Sequence, residues 1–256
     1  MATVNDILNF VEALAPRELK MDWDNVGLNC GRRNAPVSKI LVALDPFEHV
    51  CREAKEIGAD LLVTHHALIW KPGFITDTDT QGRNTLFLIE NGIAHINAHT
   101  NLDQAPGGVN DVLAARLGLE DVQIVSPVNG IGLMRCGSLP EQTLDAFLST
   151  VTEKLGCEGL RYADGGKPVR KVAVGGGSCA GGIMEVLAAG CDTFVTADIK
   201  YNQFWDAKDL GLNLIDAGHF HTENPVVTVL AEKIAAAFPE IDVKISETHH
   251  DCMKFY

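Results

Sequence analysis

The sequence predicts an α/β protein built as two similar, intertwined halves from an internal duplication, with mixed, largely parallel sheets. Three observations predict it. Short apolar runs alternate with segments of helical periodicity. Residues 39–65 can be laid on residues 171–197 without a gap. Histidines and carboxylates recur where the strands should end, which is where open α/β sheets place their ligands.

Taken in order, Thr3 or Asn5 can cap an opening helix with Ile7, Leu8, Val11 and Leu14 on one face, and Pro16 ends it. Asp22-Trp23-Asp24-Asn25-Val26-Gly27 makes a polar turn with one aromatic anchor. Residues 40–44 form a strand and 48–58 a helix closed by Gly58. Residues 61–64 form a buried strand that runs straight into His65 and His66. The segment 71–83, rich in Thr, Asp and Gly, is expected to be a mobile loop beside the histidines. A helix over 85–91 and a strand over 93–97 follow, and the strand delivers His99 and Asp103. A helix over 110–117 and a strand over 122–125 complete the first half.

The second half repeats this plan. Lys39 meets Lys171, Glu53 meets Glu185, Gly58 meets Gly190, Asp60 meets Asp192, and Val63-Thr64 meets Val195-Thr196. Residues 92–98 resemble 211–217, and 121–124 resemble 242–245. The expected division is therefore 1–126 and 127–256, with a site between the halves. The absence of a Pro- or Ser-rich linker points to packed or intertwined halves.

Composition bounds the function. A net charge of −13 argues against a nucleic-acid backbone as partner, because neutralising phosphates needs clustered Lys and Arg. Seven scattered cysteines without a Cys-x-x-Cys pair disfavour a disulfide framework or thiolate zinc, and suit the reducing cytoplasm. No run approaches membrane-spanning length, so no membrane role is expected.

The residues expected at strand ends are His65, His66 and Asp103 in the first half, with His219 and Glu223 in the second, where Pro225 suits a helix start. Three imidazoles and two carboxylates form a borderline-to-hard donor set suited to Zn²⁺, Mn²⁺, Fe²⁺ or Ni²⁺. Five protein ligands are too many for one catalytic ion with an open position. They suit two divalent ions about 3.5–4 Å apart that share a carboxylate and a bridging water.

These residues lie in stretches that carry a resemblance. Thr64-His65-His66, the run from Ala98 through Asp103 to Asn110, and Gly218-His219-Phe220-x-x-Glu223 together resemble the Nif-three-like family, whose members are often labelled GTP cyclohydrolase 1 type 2 homologues. Trp23-Asp24-Asn25-x-Gly27-Leu28 and Thr196-x-Asp198-x-Lys200-Tyr201 extend it over most of the chain. The resemblance implies a dinuclear metal site of His65, His66, Asp103, His219 and Glu223. It also implies a ring-shaped homohexamer, a trimer of dimers. This chain resembles the short form, without the domain that longer relatives insert between the halves. Asn202 stands where relatives often carry histidine.

Other candidates read more simply as structure. His99 is left out of the ligands and reads either as a partner or acid/base beside Asp103 or as the residue that orders the Asn101 turn, while His221 is expected to face solvent and His249-His250-Asp251 to lie on the surface. His49 and His95 read as ordinary helix and strand residues, Cys179 as an inert thiol, and Trp70, Phe204 and Trp205 as core or subunit-contact aromatics. The glycine-rich run 175–182 is a tight turn whose amides, with Lys200, could hold an anion. The function expected is a metal-dependent hydrolase acting on a small nucleotide-like or phosphorylated substrate. The alternative is a metal-binding regulatory or interaction protein without turnover.

Overall fold

Thr3 starts the first helix. Its hydroxyl accepts from the Asp6 amide while the Asp6 carboxylate accepts from the Thr3 amide, a reciprocal cap that opens α1 (Val4–Leu14). The computed structural model describes residues 1–71, 73–127, 130 and 132–256. After α1 come β1 (Gly27–Cys30), β2 (Lys39–Ala43), α2 (Glu48–Glu56), β3 (Leu61–Thr64), α3 (Thr80–Glu90), β4 (Ala94–Asn97), α4 (Thr100–Gln104), α5 (Val109–Arg116) and β5 (Glu120–Ile124). Then follow β6 (Arg135–Gln142), α6 (Leu144–Leu155), β7 (Arg161–Ala163), β8 (Val169–Val174), α7 (Ile183–Ala188), β9 (Thr193–Thr196) and α8 (Tyr201–Asp209). The chain ends with β10 (Asn213–Asp216), α9 (His219–Glu223), α10 (Pro225–Ala237) and β11 (Asp242–Ile245).

Two elements depart from the pattern-based reading. Helix α3 begins at Thr80, well before residue 85, because Asp79 caps it by accepting from the Gly82 amide at 2.7 Å. The last turn of the expected loop 71–83 is thus helical, while Pro72 within it lies outside the described residues. The turn after Trp23 continues into β1, an edge strand antiparallel to β4.

The strands form two mixed sheets. The first has the order β1-β4-β3-β2-β11, with β4, β3, β2 and β11 all parallel. The second has the order β5-β6-β8-β9-β10-β7, in which only β8-β9-β10 are parallel neighbours. Parallel pairing dominates the first sheet and is confined to the middle of the second.

The duplication is visible in detail. Ile40 pairs with Leu61, and Val172 pairs with Thr193, the same register after the same offset in sequence. Asp60 accepts from the Ser38 and Lys39 amides at the start of β2, and Asp192 accepts from the Arg170 and Lys171 amides at the start of β8. Lys39 donates to the Ile57 carbonyl and Lys171 to the Ala189 carbonyl, each closing the turn after a helix. The third match is not of this kind. β11 extends the first sheet in parallel beside β2, whereas β5 pairs antiparallel with β6.

That pairing decides how the chain divides. One compact unit comprises 1–106 with 227–250, and the other 107–226 with 251–256. The boundary expected at 126/127 gives way to this partition. Residues 107–126 belong with the second sheet because β5 pairs there, and 227–250 belong with the first because β11 does. In the second unit, alternation along the strands feeds two cores. Val172, Val174, Val195 and Ile215 join Leu113, Phe147 and Val151 on one face. Ala173, Phe194 and Leu214 join Ile183, Val186 and Ala207 on the other. In the first unit, Leu41, Ala43 and Leu62 pack on Val50, Cys51, Ala54 and Leu88. No helix among the described residues is long and apolar enough to cross a membrane.

Because Asp60 and Asp192 perform the same task, Asp60→Ala and Asp192→Ala should each cost roughly 1–3 kcal/mol, the penalty for leaving strand-end amides without their acceptor. Urea denaturation should return two similar losses of midpoint.

Candidate metal centre

The first unit assembles its candidate residues by register. Ala43 pairs with Thr64 and Thr64 with Asn97, so the residues just beyond β2, β3 and β4 leave the sheet at one edge. His65 and His66 follow β3, Asp45 follows β2, and Ala98 and His99 follow β4 and lead into α4, which carries Asp103. The His66 amide donates to the Leu44 carbonyl, and the Ala98 amide donates to the Thr64 carbonyl.

The His65 and His66 rings are held by hydrogen bonds through Nδ1, and the His99 Nδ1 faces a carboxylate. His65 Nδ1 lies 2.9 Å from the Ala98 carbonyl, which can only accept, so Nδ1 carries the proton. His66 Nδ1 lies 2.6 Å from Asp45 Oδ1. Burial works to raise the Asp45 pKa, but bonds from His249 and His66 outweigh it and hold the carboxyl below its usual range, so His66 is the donor. His99 Nδ1 lies 3.0 Å from Asp24 Oδ1. A neutral ring protonated at Nδ1 presents Nε2 as a lone-pair donor, and this anchoring by carboxylate or carbonyl is how metal-binding histidines are usually oriented. His65 Nε2 stands 3.6 Å from Asp103 Oδ1. One donor nitrogen from each of His65, His66 and His99 lies within 4.8 Å of the other two, so these three rings could hold a metal ion.

The surroundings fix this group. Asp24 accepts from both the amide and the hydroxyl of Thr100, at 3.0 and 2.5 Å, and so caps α4. Burial tends to raise the Asp24 pKa, yet the bonds from His99 and Thr100 prevail and bring it down to about 2. Asn101 accepts from the His99 amide and donates to the Ala15 carbonyl, which is the turn-ordering expected around His99. The His99 ring nevertheless lies 5.1 and 5.4 Å from those of His65 and His66, so it is part of the cluster as well. Beneath them, buried His95, its pKa lowered by burial to about 3, lies 2.8 Å from the Thr64 hydroxyl, which donates to the His66 carbonyl. Trp70 packs edge-on against His99 at 5.0 Å and Trp23 at 5.8 Å, so Trp70 belongs to the rim of this site.

The second unit builds a smaller group on the same plan. β9 leads to Asp198, whose φ of +53° is uncommon for a residue with a side chain, and β10 leads through Gly218 to α9. One turn of α9 places His219 and Glu223 together, with Nε2 3.0 Å from Oε2. His219 Nδ1 lies 2.7 Å from Asp198 Oδ2. Glu223 is buried.

The glycine-rich run now has a physical role. Gly177 has φ +59°, and a Cβ there would overlap Glu223 Oε1 and approach His219 Nε2 to 3.0 Å. Its amides are engaged within the fold. Gly175 donates to the Val195 carbonyl, Gly176 to Asn110 Oδ1, Gly177 to Thr222 Oγ1, and Gly182 to the Cys179 carbonyl. The run backs the His219–Glu223 pair, and these four amides are not available to an anion. Asn202 lies 3.5 Å from Asp206 on its own exposed helix.

Two of the simpler readings are corrected. His221 is half-buried, with Nδ1 3.2 Å from the Leu155 carbonyl and Nε2 3.4 Å from Asp251. His249 is not a surface residue. Its side chain is 4% exposed and its Nε2 lies 2.8 Å from Asp45 Oδ2. The seven cysteines are unbridged. Asp24 and Asp45 were not singled out from the sequence as partners of the rings, because each meets its histidine only through strand pairing.

Fold and side chains define the class: an α/β protein whose strand ends carry imidazole–carboxylate groups that could hold a metal ion. The profile of the family described as Duf34/NIF3 (NGG1p interacting factor 3) matches residues 2–252, and the chain belongs to that family. A Clostridium perfringens protein named GTP cyclohydrolase 1 type 2 homolog is 38% identical over 259 residues, covering 98% of this chain and 99% of its own. A Helicobacter pylori protein named GTP cyclohydrolase 1 type 2 is 31% identical over 91% of each chain. The crystal structure of a Bacillus cereus protein related to NIF3 superposes with a TM-score of 0.93 at 25% identity, covering 100% of this chain and 99% of the other.

Two measurements check this geometry. Gly177→Ala should cost about 2–5 kcal/mol through strained backbone and overlap with Glu223, whereas Gly181→Ala, with open space around it, should change the urea midpoint little. Asp24 sits below its unfolded pKa, so its contribution is present above about pH 4 and is lost as pH falls toward 2. Asp24→Asn should therefore be less stable at pH 7 by about 2 kcal/mol and show a flatter acid denaturation profile between pH 4 and 2.

Proposed function

We propose that His65, His66, Asp103, His219 and Glu223 come together to hold two divalent ions, and that the protein is a metal-dependent hydrolase of the GTP cyclohydrolase 1 type 2 kind. Its substrate is small and nucleotide-like or phosphorylated. The observation that carries this reading is the shared anchoring of the three histidines. His65, His66 and His219 each have Nδ1 held by a carbonyl or carboxylate, and His65 and His219 each have Nε2 beside a carboxylate. Buried imidazole and carboxylate donors with no thiolate among them fit Zn²⁺, Mn²⁺, Fe²⁺ or Ni²⁺.

Bound there, the ions would supply an acidified water and Lewis-acid stabilisation of the charge that develops on attack. The chain's own residues do the rest. Asp45, Asp198 and the Ala98 carbonyl keep the rings in one tautomer and one orientation, so no reorientation is needed when a ligand arrives. Trp23 and Trp70, 66% and 43% exposed, offer flat faces at the rim against which a planar heterocycle can lie. Lys200, exposed at the start of α8, remains a candidate contact for an anionic group. The relatives' cyclohydrolase names support this substrate class.

We also propose a homohexamer, a trimer of dimers, as the assembled form, in a cytoplasmic setting that keeps the unbridged cysteines reduced.

The test is elemental analysis of gently purified protein, followed by a nucleotide panel assayed for formate and phosphate with the metal found. His66→Ala should lose at least tenfold in metal affinity and abolish product formation. Undiminished turnover in that variant would overturn metal catalysis, and metal binding without product from any substrate would favour a regulatory role. Light scattering should give a mass near six times the 27.6 kDa chain.

A further inference from the structure

The first sheet delivers one more residue to the edge where the histidines lie. β11 runs parallel to β2, with Ile245 opposite Val42, and the Ser246 amide donates to the Val42 carbonyl. The chain leaving β11 therefore emerges beside the chain leaving β2, and His249 arrives next to Asp45. Four neighbouring parallel strands thus present, in spatial order, His99, the His65-His66 pair, Asp45 and His249.

The segment that carries His249 is clamped. Glu53 on α2 is buried, and among the described residues its carboxylate bonds residues 246–248. It accepts from the Ser246 hydroxyl at 2.5 Å, the Glu247 amide at 2.8 Å, the Thr248 amide at 3.3 Å and the Thr248 hydroxyl at 2.7 Å. The Ser246 hydroxyl in turn accepts from the His249 amide at 3.2 Å. Enclosing a carboxylate costs free energy unless it is fully bonded, and here the bonds come from a segment nearly two hundred residues away in sequence.

Asp45 receives what this clamp delivers. Its Oδ1 takes the His66 Nδ1 proton, and its Oδ2 lies 2.8 Å from His249 Nε2, with the Asp45 amide 3.1 Å from the same nitrogen. A backbone amide only donates and an ionised carboxylate only accepts, so His249 Nε2 is bonded to Asp45 in either tautomer: protonated it donates to Oδ2, and as a lone pair it accepts from the amide. With His66 against one oxygen and His249 against the other and against the amide, Asp45 is held in its orientation toward His66. The Phe47 and His49 rings pack edge-on against His249, at 6.0 and 5.7 Å, and hold its plane.

We propose that His249 is a positioning residue for the metal centre: through Asp45 it fixes the ring and tautomer of His66, and the Glu53 clamp on residues 246–248 holds it there. The proposal rests on His66 being a metal ligand. It makes the end of the chain part of the centre, although His249 touches no metal itself.

The experiment uses the full chain as wild type, Asp45→Asn, His249→Ala, His249→Gln and the double variant Asp45→Asn/His249→Ala. Zn²⁺ affinity is measured by competition with a chromophoric chelator, and imidazole ¹⁵N spectra are recorded on the metal-free proteins. His249→Ala should weaken Zn²⁺ about tenfold, at the lower end of what outer partners of ligands contribute, and should turn a single Nδ1–H tautomer of His66 into a mixture. His249→Gln, whose amide N–H reaches the position of Nε2, should restore both. Adding His249→Ala to Asp45→Asn should weaken binding no further, since both act through one carboxylate. If His249→Ala does not fold, His249→Asn, too short to reach Asp45, replaces it with the same expectation. Wild-type affinity and a single tautomer in His249→Ala overturn the proposal, as does additive weakening in the double variant. If wild type takes up no Zn²⁺, the metal reading fails on its own, and the tautomer spectra still decide whether His249 orients His66.

Discussion

The in-register parallel pairing of β2, β3 and β4 is the constraint on which the first-unit site depends. Because Ala43 faces Thr64 and Thr64 faces Asn97, Asp45, His66 and Ala98 leave the sheet at one level. A slip of one residue between β2 and β3 would turn alternate side chains to the opposite face and separate Asp45 from His66. The apolar side chains that prevent the slip, Leu41 and Leu62 among them, are fully buried. The chemistry of the edge thus depends on the packing of the sheet as well as on its hydrogen-bonded register.

The second unit applies the same frame to different side chains. Laid on the first by the duplication, His66 falls on Asp198 and Asp45 falls on Gly177. In the first unit the β3 exit carries the ring and the β2 exit the carboxylate that holds it. In the second the β9 exit carries the carboxylate, and the ring comes from the helix after β10. With the ring moved, the β8 exit has no partner to supply and must only make room, which is why it is a glycine against Glu223. Within the glycine-rich run, Gly177 is the position at which this exchange leaves no room for a side chain.

What the sequence showed and what it hid follow from range. Strands β2 and β3, the cap at Thr3, the helix after Phe47 and the repeat are local patterns, and they were legible. His65 and His66 stood out because they follow an apolar strand directly. Asp45 and Asp24 did not, since nothing near them in sequence marks them as partners of rings 21 and 75 residues away. His249 lies 204 positions from Asp45 and becomes intelligible only once β11 is known to pair with β2. The same crossing displaced the unit boundary from 126/127. The early start of α3 was a local signal, Asp79 three residues before Gly82, hidden in a loop-like composition.

The anchors also grade the donors. His66, His99 and His219 are backed by carboxylates, whereas His65 is backed by a neutral carbonyl. A carboxylate behind Nδ1 raises the basicity of the ring it holds, so Nε2 of His65 is the weakest of these donors electronically. It is also the most enclosed, with a side chain 0% exposed. A second carboxylate behind that ring would have concentrated negative charge at a position where water cannot screen it, beside Asp103 at 3.6 Å. Using the Ala98 carbonyl instead orients the ring at no cost in charge. The carboxylates behind the other rings are compensated by solvent or by bonded donors, as enclosed Asp24 is by Thr100, whereas the His65 ring is held by backbone.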